Sequence, residues 1–284
     1  MAVELSKLKK FVELALEEDV QEGDHTTLST IAEEAQGEAK LIVKDAGILA
    51  GVDVAVHIFN LLDSNLLVEV LLEDGTSVRA GDIAFFARGN VHQILKAERL
   101  VLNVMQRMSG IATLTNQYVK QLEGTNAKVL DTRKTTPLIR FLEKEAVLIG
   151  GGTNHRFGLY DMILIKDNHV DYAGGISNAL QKAQEYRTAK KIDIDIEIEV
   201  RNFEELEEVL AYQYVDRVMF DNFTPEDVHK AVEIVSGRLV TEASGGITLE
   251  TIRDYALTGV DFISVGALTH SVRSLDLSLK AKII

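Results

Sequence analysis

The 284-residue chain has no cysteine, two prolines, and 30 Lys and Arg against 44 Asp and Glu. Each shortage excludes something. Without cysteine there is no disulfide framework and no thiolate nucleophile, and a chain of this length buries a sufficient core without covalent staples. Pro137 and Pro225 are too few for a proline-rich linker. The formal net charge of −14 argues against general nucleic-acid binding and against anchoring on an anionic membrane, since both rest on Lys and Arg. No stretch approaches the ~20 uncharged apolar residues of a membrane span. The richest, Leu41 to Leu62, is interrupted by Lys44, Asp45, Asp53 and His57. The first residues, Met-Ala-Val-Glu-Leu-Ser-Lys, carry no apolar signal core, so the cytoplasm is the expected compartment. What remains is a 46% apolar, 26% charged composition, that of a soluble globular protein of one large or two ordinary domains.

The first ~95 residues read as mixed helix and strand. Apolar residues at helical spacing predict a helix over Leu5 to Glu18, broken by Gly23-Asp24-His25-Thr26-Thr27. A strand follows at Ala39 to Val43 and a helix at Val52 to Leu62. Val68 to Leu72 and Ser77 to Arg79, flanking Asp74-Gly75, predict a hairpin,. A short strand is expected at Ile83 to Ala87, and a long helix over Val91 to Glu123 with a break at Ser109-Gly110.

After Lys128 short apolar runs alternate with helix-like segments, which implies crossovers and a parallel sheet. The runs are Lys128–Thr132, Met162–Ile165, Ile194–Val200, Arg217–Phe220, Leu239–Thr241 and Phe262–Val265. Most end on polar residues that are costly to bury unpaired: Arg133-Lys134, Lys166-Asp167, Glu199, Asp221, Glu242-Ala243-Ser244 and Ser264-Val265-Gly266. In a barrel those ends converge on one rim, where active sites sit, whereas an open sheet spreads them along a line. The barrel is the favoured reading.

The rim residues have definite chemistry. Arg133 offers a bidentate fork to a carboxylate or phosphate and Lys134 a point charge. They precede Thr135, Thr136 and Pro137, the last at an expected helix N1 position. Gly150-Gly151-Gly152 allows close backbone approach before the donors His155 and Arg156. Lys166 to His169 follow an apolar strand directly. Glu197 and Glu199 share one face of their strand, and acids on either face of a barrel strand need an explanation. Glu199 and Asp221, on successive strands, suit Mg²⁺ together with substrate phosphates. Ser244-Gly245-Gly246 and Gly266 suit a phosphate cradle. No Gly-x-Ser-x-Gly elbow, Gly-x-x-x-x-Gly-Lys loop or zinc spacing is present.

The whole chain resembles the quinolinate phosphoribosyltransferase family. The matching segments are Glu18-Asp19 with Gly23 to Thr27, Glu98-Arg99 with Leu102-Asn103, and Ser109 to Thr113. They continue through Asp131 to Pro137, Asn154-His155-Arg156, Lys166 to His169, Glu197 to Val200, Asp221-Asn222-Phe223 and Glu242 to Ile247. The resemblance implies an N-terminal α/β sandwich over 1–108, joined by the tail 270–284. It implies an incomplete, about seven-strand α/β barrel of TIM-like type over 109–269. It also implies a homodimer or larger assembly, in which Arg99 reaches the partner's site.

By the same resemblance, Arg99, Arg133, His155, Arg156 and Lys166 would bind the carboxylates of quinolinate. Lys134, Glu199 and Asp221 would handle phosphoribosyl pyrophosphate and its Mg²⁺, and Ser244, Gly245, Gly246 and Gly266 its phosphate. Lys134, Lys166, Glu199 and Asp221 would be the catalytic set, and Asp167, Asn168 and His169 supporting residues. The implied reaction yields nicotinate mononucleotide, pyrophosphate and CO₂, on the route to NAD. Three other readings stay open: a related type II phosphoribosyltransferase acting on nicotinate or on the substrate of the molybdenum-transport-associated relatives, a barrel aldolase using Lys166 as a Schiff base, and a non-catalytic anion-binding protein.

Overall fold

The computed structural model describes residues 4 to 282. The first three residues of the expected 1–108 domain and the last two of the expected tail lie outside them. The first half contains α1 (Leu5–Asp19), α2 (His25–Thr30), β1 (Gln36–Val43), β2 (Gly47–Ile48), α3 (Val52–Leu62), β3 (Leu67–Val70), β4 (Ser77–Val78), β5 (Ile83–Asn90) and α4 (Val91–Gln121). Then come β6 (Lys128–Leu130), α5 (Arg140–Ile149), β7 (Ile163–Ile165), α6 (Asp167–Ala173), α7 (Ile176–Lys190), β8 (Ile196–Val200) and α8 (Phe203–Val209). The chain closes with β9 (Arg217–Asp221), α9 (Pro225–Val235), β10 (Val240–Ser244), α10 (Ile252–Ala256), β11 (Phe262–Ser264), α11 (Ala267–His270) and β12 (Leu277–Lys282).

Two compact units form. Among the described residues the first comprises 4–116, 135–151 and 268–282, and the second 117–134 and 152–267. The tail 268–282 and the segment carrying α5 both cluster with the N-terminal part.

The first unit is built on an antiparallel sheet of order β12-β1-β5-β3. The Val68–Arg79 hairpin does not form. β3 pairs with β5, and β4 with β2 in a separate two-stranded sheet. The reason lies at the turn. Asp74 accepts from the Val52 amide (2.8 Å) at the start of α3, and the Gly75 amide donates to Leu49 O (2.8 Å). The Asp-Gly pair caps a distant helix instead of folding its own strands together. The Gly23–Thr27 break becomes α2, because Asp24 accepts from the Thr26 and Thr27 amides. Nor does α4 break at Ser109-Gly110. The Ser109 hydroxyl accepts from the Ala50 amide (2.9 Å), and a Cβ on Gly110 would collide with Arg273 O. Both residues serve packing rather than helix termination.

The second unit is a parallel six-stranded sheet of order β6-β11-β10-β9-β8-β7. β8 is buried at every position, as a strand covered on both faces must be. The position next to β6, which an about seven-strand barrel requires, holds one bridge residue, Thr153 paired with Leu130. The expected apolar runs all become strands. Pro137, however, is not a helix N1 residue: α5 starts at Arg140, after Leu138 at φ 69°. Lys166 to His169 are not a free strand end but the cap and first turn of α6.

Candidate active site

The parallel strands of the second unit deliver their C-terminal ends to one rim. Arg133 and Lys134 follow β6, Lys166 follows β7, Glu199 lies near the end of β8, Asp221 ends β9 and Ser244 ends β10. Gly266 follows β11. Ser244 and Asp221 are direct register partners, so the glycine loop starts beside a carboxylate. All the expected site residues belong to this unit except Arg99, which is exposed on α4 in the first.

Burial, and then the positive charge of Arg133, hold the Arg156 guanidinium below its ordinary value, while the Glu197 and Asp161 charges act the other way. Arg156 Nη1 donates to Met162 O (3.2 Å), which steers the group. Lys166 Nζ pairs with Glu199 Oε2 at 3.2 Å. The Lys166 amide donates to His169 Nδ1 (2.9 Å).

The anion-binding loop has its own logic. Gly245 has φ 103° and Gly246 φ 61°, a region that penalises a Cβ. A Cβ on Gly245 would also lie 2.8 Å from the Asn222 amide nitrogen. That amide donates to Ser244 O (2.8 Å), and Asn222 Nδ2 to Asp221 Oδ2 (2.7 Å). Asn222 therefore ties the loop to the carboxylate.

His155 is placed differently from the other donors. Its side chain is 6% exposed, with Nε2 3.0 Å from Glu197 Oε2 and 3.4 Å from Glu242 Oε2. Arg217 Nη1 reaches the same Glu242 oxygen at 3.1 Å. Burial works against the imidazolium, but hydrogen bonds to the two carboxylates prevail and raise His155 to about 9. Burial and the Glu242 charge raise Glu197 to about 7. Burial pushes Glu242 upward as well, yet His155 and Arg217 hold it below its ordinary value.

Glu197, Glu242 and Arg217 were given no role by sequence reasoning. The available signal was an acid alternating with Glu199 inside an apolar strand. Nothing in the sequence tells which distant residue answers it.

The donor set near the rim fits Mg²⁺. Glu199 and Asp221 sit on neighbouring strands and offer hard oxygen ligands beside the glycine loop,.

Comparison with known proteins agrees with this architecture. The model of the quinolinate phosphoribosyl transferase N-terminal domain matches residues 24–109, and that of the C-terminal domain residues 111–280. A chloroplastic nicotinate-nucleotide pyrophosphorylase [carboxylating] of Arabidopsis thaliana is 47% identical over 288 residues, covering 96% of this chain and 82% of the relative. A probable nicotinate-nucleotide pyrophosphorylase [carboxylating] of Bacillus subtilis is 44% identical, covering 96% and 93%. The crystal structure of NadC from Streptococcus pyogenes superposes with a TM-score of 0.93 at 37% identity, covering 99% of this chain and 98% of the other. With both domain models matched in order and relatives aligned nearly end to end, this chain belongs to the quinolinate phosphoribosyltransferase family.

Proposed function

We propose that the chain transfers the phosphoribosyl group of phosphoribosyl pyrophosphate to quinolinate, releasing pyrophosphate and CO₂ and forming nicotinate mononucleotide for NAD biosynthesis. The observation that carries the reading is one rim of strand ends that presents Arg133, Arg156 and Lys166 together with Glu199, Asp221 and the Ser244–Gly246 loop. A pyridine dicarboxylate satisfies the cations, and a metal-bound diphosphate suits the acids and the glycine loop. The relatives' names point to the same reaction.

Arg133, Arg156 and Lys166 orient the dicarboxylate so that its ring nitrogen faces the sugar. Arg99 of a second copy would complete that pocket in a homodimer. Lys134 stands where charge builds on the leaving pyrophosphate. The Ser244–Gly246 loop and Gly266 hold the 5′-phosphate through backbone amides. Glu199 and Asp221 would hold Mg²⁺, which supplies Lewis-acid stabilisation of the pyrophosphate. The N–C1′ bond forms as the C1′–O bond breaks, its electrons leaving with pyrophosphate. The carboxylate next to the ring nitrogen then departs as CO₂. Its bonding electrons enter the cationic ring, and a solvent proton fills the vacated carbon. No covalent enzyme intermediate is needed.

An aldolase reading asks for a desolvated lysine, whereas the Lys166 side chain is 48% exposed and ion-paired. Among the described residues no helix is long and apolar enough to cross a membrane, and the cytoplasm is our proposed compartment. The decisive assay is release of pyrophosphate and CO₂ from quinolinate plus phosphoribosyl pyrophosphate, with and without Mg²⁺. Mg²⁺-dependent release of both is expected. Turnover of nicotinate but not of quinolinate would refute the assignment.

A further inference from the structure

We propose that His155 serves quinolinate through Arg156 rather than by touching it: the imidazole is a buried anchor, set against Glu197 and Glu242, that fixes the backbone from which the Arg156 guanidinium reaches Met162 O. The inference rests on quinolinate being the acceptor.

Two polar atoms of His155 are hydrogen-bonded within the turn. The backbone amide donates to Oδ1 of the buried Asp131 (2.9 Å). Nδ1 accepts from the Arg156 amide (2.7 Å). That acceptor role puts the ring proton on Nε2, which faces the two carboxylates at 3.0 and 3.4 Å. The ring is hydrogen-bonded at Nδ1 and packs its Nε2 edge against the two carboxylates, and its 6% exposure leaves little of it for a ligand. What it orients is the next residue. The Arg156 amide is bound to the ring, while the guanidinium is guided by Met162 O into the field of Arg133.

The clamp is built from the sheet. Glu197 and Arg217 are register partners on β8 and β9. Glu242 lies on β10 opposite Met219. Both Glu197 oxygens are closed off from solvent and make no well-aligned hydrogen bond, so the His155 edge at 3.0 Å is what faces them. Buried carboxylates are retained only when paired, and here His155 and Arg217 are the pairing groups. The Arg217 guanidinium also stacks on the Phe262 ring at 4.7 Å, which fixes its direction.

A metal centre is the competing explanation. His155, Glu197 and Glu242 bring their ligand atoms within 4.8 Å of one another. The tautomer decides against it. With Nδ1 accepting from the Arg156 amide, Nε2 carries the ring proton and offers no lone pair to a metal,.

The test is a double-variant cycle on the full-length enzyme, with separate KM values for quinolinate and phosphoribosyl pyrophosphate. His155→Gln is expected to raise the quinolinate KM about 10-fold or more and leave that for phosphoribosyl pyrophosphate unchanged. Glu242→Gln, nearly the same size, is expected to give the same split and substitutes should His155→Gln fail to fold. In an Arg156→Ala background neither change should weaken quinolinate binding further, because the group being positioned is gone. Losses that multiply across positions 155 and 156 overturn the proposal, since His155 then acts on substrate independently. So does stoichiometric zinc held by the wild-type chain and released by Glu242→Gln. A wild-type chain that uses nicotinate and not quinolinate, seen in the same assay, removes the functional reading beneath it.

Discussion

Two buried carboxylates, a guanidinium and an imidazole meet inside the barrel, and their charges balance only if the group keeps one proton beyond the imidazole's own. That proton completes either the His155 imidazolium or the Glu197 carboxylic acid; the amide at Nδ1 favours the second. Such a set titrates as a unit. With the proton on Glu197, that carboxyl moves from 4.5 unfolded to about 7 folded. The stabilisation is complete below pH 4.5 and gone above about 7. Stability therefore falls as pH rises from 4.5 to 7, by up to about 3 kcal/mol. Thermal unfolding across that range measures it, with a flatter profile expected for Glu242→Gln. A wild-type midpoint that does not move would contradict the shared proton. Removing the charge partner is costlier still: Arg217→Ala should destabilise by about 3–5 kcal/mol, readable by urea titration.

The elements show why some sequence signals translate directly and others do not. The loop after β10 tolerates only glycine at 245, given its φ of 103° and the Asn222 amide 2.8 Å from any Cβ. Gly245→Ala should cost about 1–2 kcal/mol from the left-handed backbone alone. It should also raise the KM for phosphoribosyl pyrophosphate more than that for quinolinate, which steady-state kinetics will separate. That loop was legible because glycines between an apolar strand and a helix have few other uses. The same holds for Arg133, Lys166 and Asp221, polar groups at the ends of apolar runs. Helix α3 was read with its observed bounds, since apolar spacing carries it. Misreadings arose where a local signal answers a distant partner. Asp74-Gly75 resembles a hairpin turn, yet Asp74 caps α3. Ser109-Gly110 resembles a break, yet both face packing partners. The Glu197–His155–Glu242–Arg217 cluster joins three strands and a loop, and no window of sequence contains it. Asp74→Ala tests the capping account. A loss of about 1 kcal/mol with unchanged quinolinate KM is expected, and chemical denaturation with kinetics checks it.

Across the whole molecule the formal charge is −14, while the rim of the second unit concentrates Arg133, Lys134, Arg156 and Lys166. A pocket for two small anions can thus exist in an acidic protein, and the surrounding acidity disfavours extended polyanions such as nucleic acid. Arg99, exposed on α4 in the first unit, is the cation we assign to a second copy's pocket. Symmetry makes this testable, because in a two-fold dimer each site would combine one chain's barrel with the other chain's Arg99. Arg99→Ala and Lys134→Ala should each be nearly inactive alone, the first for want of a donated guanidinium and the second through its own barrel. Mixed and allowed to exchange subunits, they should form hybrid dimers in which one of the two sites has Lys134 from one chain and Arg99 from the other. Random assortment then restores roughly a quarter of the wild-type activity. Pyrophosphate release from the mixture, followed while subunits exchange, gives the readout. Activity that stays at the level of the separate variants, with exchange verified by mass-tagged chains, would place Arg99 outside the shared site.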